Sequence, residues 1–331
     1  EPGVVRQQAT QHDLRNAIAD LVSGTSVRLP RTTAVGCLIA LPRETTTHSD
    51  ITFCDQVIRV LRRNCTECHR KGEIGPFALE DYDEVIGWAD MSLEVIEQKR
   101  MPPWHAESEF GVFANARNMS EDDKTVLRDW VEAGMPYGDA DDLPPRQEHV
   151  DGWRLPKEPD LVVSLFGKEP STEEAAAFNR YFSIPAEGTV EYQYFVVDSG
   201  FNEDKWVRAA QVLPGNAAVV HHCIVFVRPP DGGDFRDIGF LTGYVPGQVQ
   251  GRFPDGYAQR VPAGSQLVFQ MHYTPTGKPE TDETRLGLLF ADPDSLTHQV
   301  RVYGGINQDL EIPPREANYT ATGNISGFSK D

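Results

Sequence analysis

The chain has few cysteines, no excess of positive charge and no long apolar run. Five cysteines in 331 residues are too few for a disulfide-built scaffold, so each needs its own explanation. No stretch approaches the roughly 20 apolar residues that span a bilayer. The longest apolar runs are of strand length. Lys and Arg number 31 against 50 Asp and Glu, a net charge of -19, which argues against nucleic acid and anionic membrane as partners. The chain opens Glu1-Pro2-Gly3, with neither an initiating methionine nor a basic start. It is therefore expected to be a processed or truncated product, with room for a secretion signal upstream. Nine histidines are present, and none forms a His-x-His pair. The length suits two or three domains.

The most informative segment that is present is Cys65-Thr66-Glu67-Cys68-His69. Two thiols three apart can each add to one porphyrin vinyl group, and the next residue can turn its imidazole onto the iron. This is the c-type haem attachment pattern, with His69 as one axial ligand. A zinc site would need a second Cys or His pair at short spacing, and none follows. The other axial ligand is expected downstream, in Arg100-Met101-Pro102-Pro103-Trp104-His105. The prolines fix an extended loop that suits Met101 as a thioether ligand. His105 is the alternative, and Met101 as a core filler is the structural reading. Trp104 could cover the haem edge.

Periodicity divides the chain. Residues 11–23 read as a helix with a stripe of Leu14, Ala17, Ile18, Leu21 and Val22, followed by a short strand from Ala34 to Leu41. Such a pair cannot make a core alone. Residues 1–45 are expected to be the tail of a domain lying upstream, and Ala34-Val35-Gly36-Cys37 resembles a redoxin (thioredoxin-fold) domain. Residues 46–140 read as a helical haem domain. One helix carries Phe53, Val57, Ile58 and Leu61. A second, about Glu80 to Lys99, carries Tyr82, Val85, Ile86, Ala89, Leu93 and Ile96. A third starts at Ser120, with Asp123 as a capping-box-like partner, and stops at Gly134. Helix, haem motif, loop methionine and terminal helix follow the order of small class I cytochromes c.

Residues 141–160, rich in Pro, Asp and Glu, read as a linker. Beyond it, the segments Arg180–Val197, Lys205–Leu213, Ala217–Arg228, Ser265–Tyr273 and Thr284–Ala291 are β-branched and aromatic, with no long helix between them. This predicts an antiparallel β-sandwich over 161–299. The expected fold class is multidomain, α followed by all-β.

His221 and His222 open one apolar strand, and His272 lies inside another, fifty residues on. Three neutral imidazoles suit copper or zinc. Adjacent side chains of a regular strand face opposite ways, so His221 and His222 can share one ion only if the strand bulges or ends there. Cys223 reads as a small buried residue, although a regular strand would put it on the face of His221. Gln270 would share the face of His272 and could orient it or a water. Tyr273 could lie nearby, though alternation turns it away. Cys37 and Cys54 could form a disulfide in an oxidising compartment.

His-His before an apolar strand, then Gln270-Met271-His272-Tyr273, resembles the copper type II, ascorbate-dependent monooxygenases, the peptidylglycine and dopamine hydroxylases among them. Glu191-Tyr192-Gln193-Tyr194-Phe195, Trp206-Val207-Arg208-Ala209 and Pro262-Ala263-Gly264 carry the same resemblance. With the haem segment ahead, the chain is similar over residues 50–331 to bacterial multidomain members. The resemblance implies a jelly-roll-like sandwich with one copper ion on His221, His222 and His272 that stores and passes electrons. The family's second copper, on a His-x-His pair and a methionine, hydroxylates substrate in a second sandwich. Residues 300–331 are expected to be the start of that domain, cut short.

The expected function is therefore the electron-transfer half of a copper monooxygenase, extracytoplasmic (periplasmic or secreted), in which haem c supplies electrons to copper. Its partners would be a redox protein or an ascorbate-like reductant, and the missing second copper domain. The alternative is a pure electron-transfer cytochrome without substrate chemistry. The acidic runs Glu121-Asp122-Asp123 and Asp139 to Asp142 fit a solubilising surface or the docking of a basic redox partner.

Overall fold

A computed structural model describes residues 12–32, 50–104, 106, 109, 111–167, 180–232, 239–247, 252–304, 307 and 309–323. The chain divides into two compact units, a helical one running to Arg146 without Lys71–Pro76, and a β unit that takes in Lys71–Pro76 and continues from Gln147. The fold is mixed, with helices and mostly antiparallel, sandwich-like sheets. No described helix is long and apolar enough to cross a membrane.

The helical unit contains α1 (Asp13–Val22), a π-helical turn (Phe53–Val57) running into α2 (Ile58–Asn64), α3 (Tyr82–Glu97) and α4 (Glu121–Glu132). Its core brings Phe53, Val57, Ile58 and Leu61 against Val85, Ala89 and Ile96 of α3 and Leu127, Trp130 and Val131 of α4, with Cys54, Val60, Leu79 and Met119 also buried there. The segment after α4 closes this core. Pro136 and Tyr137 carbonyls accept the N–H groups of Phe53 and Cys54, both at 3.0 Å, and Trp130 Nε1 donates to Pro136 O at 3.0 Å. Ser120 caps α4 by accepting from the Asp123 N–H. The Asp123 carboxylate does not complete a capping box. It reaches α2 instead, accepting from Arg63 Nη2 (2.6 Å) and Asn64 Nδ2 (2.9 Å).

The apolar stripe of α1 is exposed, with Leu14, Ile18, Leu21 and Val22 all more than half accessible, while Asp20 is buried and paired with Arg28. The strand expected at Ala34–Leu41 lies outside the described residues.

The β unit has a five-stranded sheet, ordered β1-β10-β4-β7-β11, and a four-stranded sheet, ordered β3-β8-β5-β6. The strands of the first are β1 (Leu161–Ser164), β4 (Lys205–Leu213), β7 (Tyr257–Val261), β10 (Arg285–Phe290) and β11 (His298–Val300). Those of the second are β3 (Gln193–Asp198), β5 (Val220–Arg228), β6 (Phe240–Tyr244) and β8 (Gln266–Tyr273). A short ladder pairs β2 (Phe182–Ile184) with β9 (Glu280–Asp282). Period-two alternation sends Ala210, Val212, Leu286 and Leu288 from one sheet, and Val225, Leu267, Phe269 and Met271 from the other, into a common core.

The predicted linker is not free-standing. Arg62 Nη1 donates to Pro145 O at 2.6 Å within the helical unit. Further on, the Arg154 N–H donates to Gln211 Oε1 (2.7 Å), and Asp160 N–H to Leu288 O (2.8 Å). Gly287 makes room for this segment, since a Cβ there would lie 2.8 Å from both Trp153 and Pro159. At the other end, β11 pairs in parallel with β7 of the same sandwich. Among the described residues after Val300 there is no further strand.

Candidate functional site

The segment Cys65–His69 follows the C-terminal end of α2. Cys65 and Thr66 N–H groups both bond to Leu61 O, at 2.7 and 3.0 Å, and the His69 N–H bonds to Cys65 O at 2.9 Å. The chain thus turns once more, keeping Cys65, Cys68 and His69 together. His69 Nδ1 lies 3.2 Å from Phe77 O. A carbonyl can only accept, so Nδ1 carries the proton and Nε2 keeps its lone pair. That tautomer is the one an axial imidazole needs. Burial holds His69 below the usual histidine range. Phe77 packs on the imidazole and stacks on Trp88 with ring centroids 4.0 Å apart. Burial pushes the Cys65 thiol up to about 12.

Met101 is 40% exposed, so it is not a core filler. The buried methionine of this unit is Met119. Trp104 packs edge-on to Phe113. The competing ligand His105 lies outside the described residues, as does Cys37. Cys54 is a free thiol, completely buried in the helical core.

The β unit resolves the geometric objection raised by adjacent histidines. Val220 pairs with Tyr273 and His222 pairs with His272, so His221 is the extra residue of a β-bulge. The bulge puts three imidazoles on one side. Ring centroids are 5.5 Å apart for His221 and His222, 4.9 Å for His221 and His272, and 5.0 Å for His222 and His272. One nitrogen from each lies within 4.8 Å of the other two. His221 Nδ1 and His222 Nδ1 are 3.2 Å apart, close to the roughly 3.3 Å expected between tetrahedral ligands at bonds of about 2.0 Å.

Two further observations fit a metal. His272 Nδ1 is buried with no hydrogen-bond partner, an orphan that a cation would satisfy. Burial, then the neighbouring His272, holds His221 below the usual range. His222 is held down by burial, then His272, then His221. Neutral imidazoles are the form that ligates.

The neighbours of the cluster are partly those expected. Gln270 lies on the outer face next to His272, but its Nε2 donates to Tyr194 Oη at 2.7 Å, not to an imidazole. Tyr273 points into the core and donates to Asp282 Oδ2 at 2.9 Å, so it does not adjoin the imidazoles. Cys223 is fully buried in that core, because the bulge separates its face from that of His221. Its thiol is pushed up by burial and then by Asp282.

Tyr192 was not picked out from sequence. Its ring stacks on His272 with centroids 4.9 Å apart and tilts on His222 at 5.6 Å. The alternation Tyr192, Tyr194, Val196 was the available signal, since it places these three on the outer face with His272.

No family model, curated protein or solved structure matches this chain.

Proposed function

We propose that this chain is a haem- and copper-containing redox protein, the electron-transfer half of a copper type II, ascorbate-dependent monooxygenase. The observation that carries the reading is the bulge at His221, which brings two adjacent histidines and a third fifty residues on into one donor set. Haem c and copper, when bound, supply reversible one-electron chemistry. In the helical unit, read as a class I cytochrome c domain, Cys65 and Cys68 form the thioether links. His69 ligates through Nε2, and Met101 or His105 takes the opposite axial position. In the jelly-roll-like sandwich, His221, His222 and His272 hold one copper ion, and Tyr192 covers two of the rings.

Covalent haem attachment assigns the chain to an extracytoplasmic compartment, with an ascorbate-like reductant or a redox protein as partner. On this reading hydroxylation falls to the family's second copper domain, which carries a His-x-His pair and a methionine. The alternative is a pure electron-transfer cytochrome without substrate chemistry.

The test is the iron and copper content of purified, haem-loaded protein after copper reconstitution and desalting. One iron and one copper per chain support the proposal. One iron and no copper overturn the copper assignment and leave the cytochrome reading. Hydroxylation by this chain, abolished by His272→Ala, would contradict the need for a second domain.

A further inference from the structure

Two carboxylates are buried among the described residues, and they are satisfied differently. Asp20 is paired with Arg28. Asp282, at the end of β9, is 2% exposed and accepts only from neutral donors. Its Oδ2 takes Tyr273 Oη (2.9 Å), Thr284 Oγ1 (2.8 Å) and the Thr284 N–H (3.1 Å), and its Oδ1 takes the Asn216 N–H (3.0 Å). An ionised carboxylate offers about four acceptor sites, so four donors saturate it. Burying a charge is costly unless it is fully hydrogen-bonded, and a carboxylate with no cation is an expensive choice for a strand end that only needs to be stable.

The tethers lead to the histidines. Tyr273 follows His272 directly in β8, and its ring is held by Phe182 at a 5.1 Å centroid distance. Asn216 opens the turn that enters β5. Its carbonyl accepts the Val219 and Val220 N–H groups, both at 3.2 Å, and its side-chain oxygen accepts from the Ala218 N–H at 3.2 Å. The bulged His221 comes next. The Thr274 N–H donates to Val219 O at 2.8 Å, closing the loop between the two tethers. Gly215 permits the approach, since a Cβ there would lie 2.7 Å from both the nitrogen and the oxygen of Glu283.

We propose that Asp282 is a positioning residue for the three-histidine centre, a single interior carboxylate that fixes both strand ends from which the imidazoles project. The role in copper binding rests on the reading above, whereas the positioning rests on this geometry. Groups that orient metal ligands typically change affinity by about 10- to 100-fold when altered.

The experiment compares the full chain with Asp282→Asn, Tyr273→Phe and Gly215→Ala. It measures copper(II) affinity by chelator competition, the copper(II) EPR spectrum, and the imidazole nitrogen resonances and melting temperature of copper-free protein. The expected result is copper binding weakened by about tenfold or more, an altered EPR spectrum, and shifted His222 and His272 resonances before copper is added. Lower melting temperatures with unchanged affinity, EPR spectrum and resonances would overturn the proposal and leave Asp282 a stabilising residue only. If Asp282→Asn does not fold, Tyr273→Phe and Gly215→Ala decide, since each disturbs one tether. Wild-type protein that takes up no copper overturns the copper reading, and the imidazole resonances still decide the positioning.

Discussion

The helical unit carries its candidate redox site on five consecutive residues at the end of one helix, whereas the β unit assembles its site from two strands fifty residues apart in sequence. In the first, a hydrogen-bonded turn just past α2 gathers Cys65, Cys68 and His69. In the second, regular strand geometry would separate His221 from His222, and one extra residue in the ladder reunites them. A contiguous site depends on local conformation. An assembled site depends on register, and register is held from a distance.

The largest break in that comparison is at the thiols. Cys65→Ala together with Cys68→Ala is expected to abolish covalently retained haem, measured by haem staining after denaturing electrophoresis. Copper uptake should persist. Next, His222→Ala is expected to take copper from one ion per chain to essentially none, measured by elemental analysis, with haem content unchanged.

The third variant removes packing. Phe269, fully buried in β8, lies in the core beneath the histidine strands. Phe269→Ala is expected to cost about 3–5 kcal/mol, measured by denaturant unfolding of the β unit. The smallest effect is at Asp123. Its side chain is 15% exposed and that of Arg63 57% exposed, so Asp123→Asn is expected to cost only about 1 kcal/mol after screening.

Asp123 also sets a pH dependence. Burial pushes its carboxyl up, but bonds from Arg63 and Asn64 outweigh it and hold the group below its usual range. The folded form therefore binds its proton less readily than the unfolded chain. Its contribution is complete above the unfolded value near 3.9 and is lost as pH falls through the depressed folded value. Acid denaturation of Asp123→Asn, followed by haem absorbance, should lack that component.

Much of the architecture was legible because burial imposes periodicity. Leu127, Trp130 and Val131 announce the inner face of α4, and Lys205–Leu213 was read as the strand it forms. The run Arg180–Val197 was read only as a β-rich segment and holds two strands, with Pro185 and Gly188 between them. β1, β6, β7, β9 and β11 were not recognised. Each has five residues or fewer, too short for alternation to stand out. The packing of residues 152–160 on the sandwich depends on Gly287, which lies far away in sequence. The residues of Cys65–His69 and the three histidines were all visible in sequence. The bulge was stated only as a condition, because the residue that is extra is defined by its partner strand. Tyr192 and Asp282 were missed for the same reason, since each acts through strands that only the folded ladder brings alongside.

The bulge has one more consequence. Past His222 the pairing of β5 with β8 runs unbroken to Arg228 and Gln266, so the irregularity is absorbed within a single step. Loss of one codon at position 221 would leave every interior side chain of that strand where it is and remove a third of the donor set. In this sandwich, a three-histidine cluster able to hold a metal is separated from an ordinary strand end by one inserted residue. A search through genomes for such centres should therefore count residues between paired positions rather than compare the residues themselves.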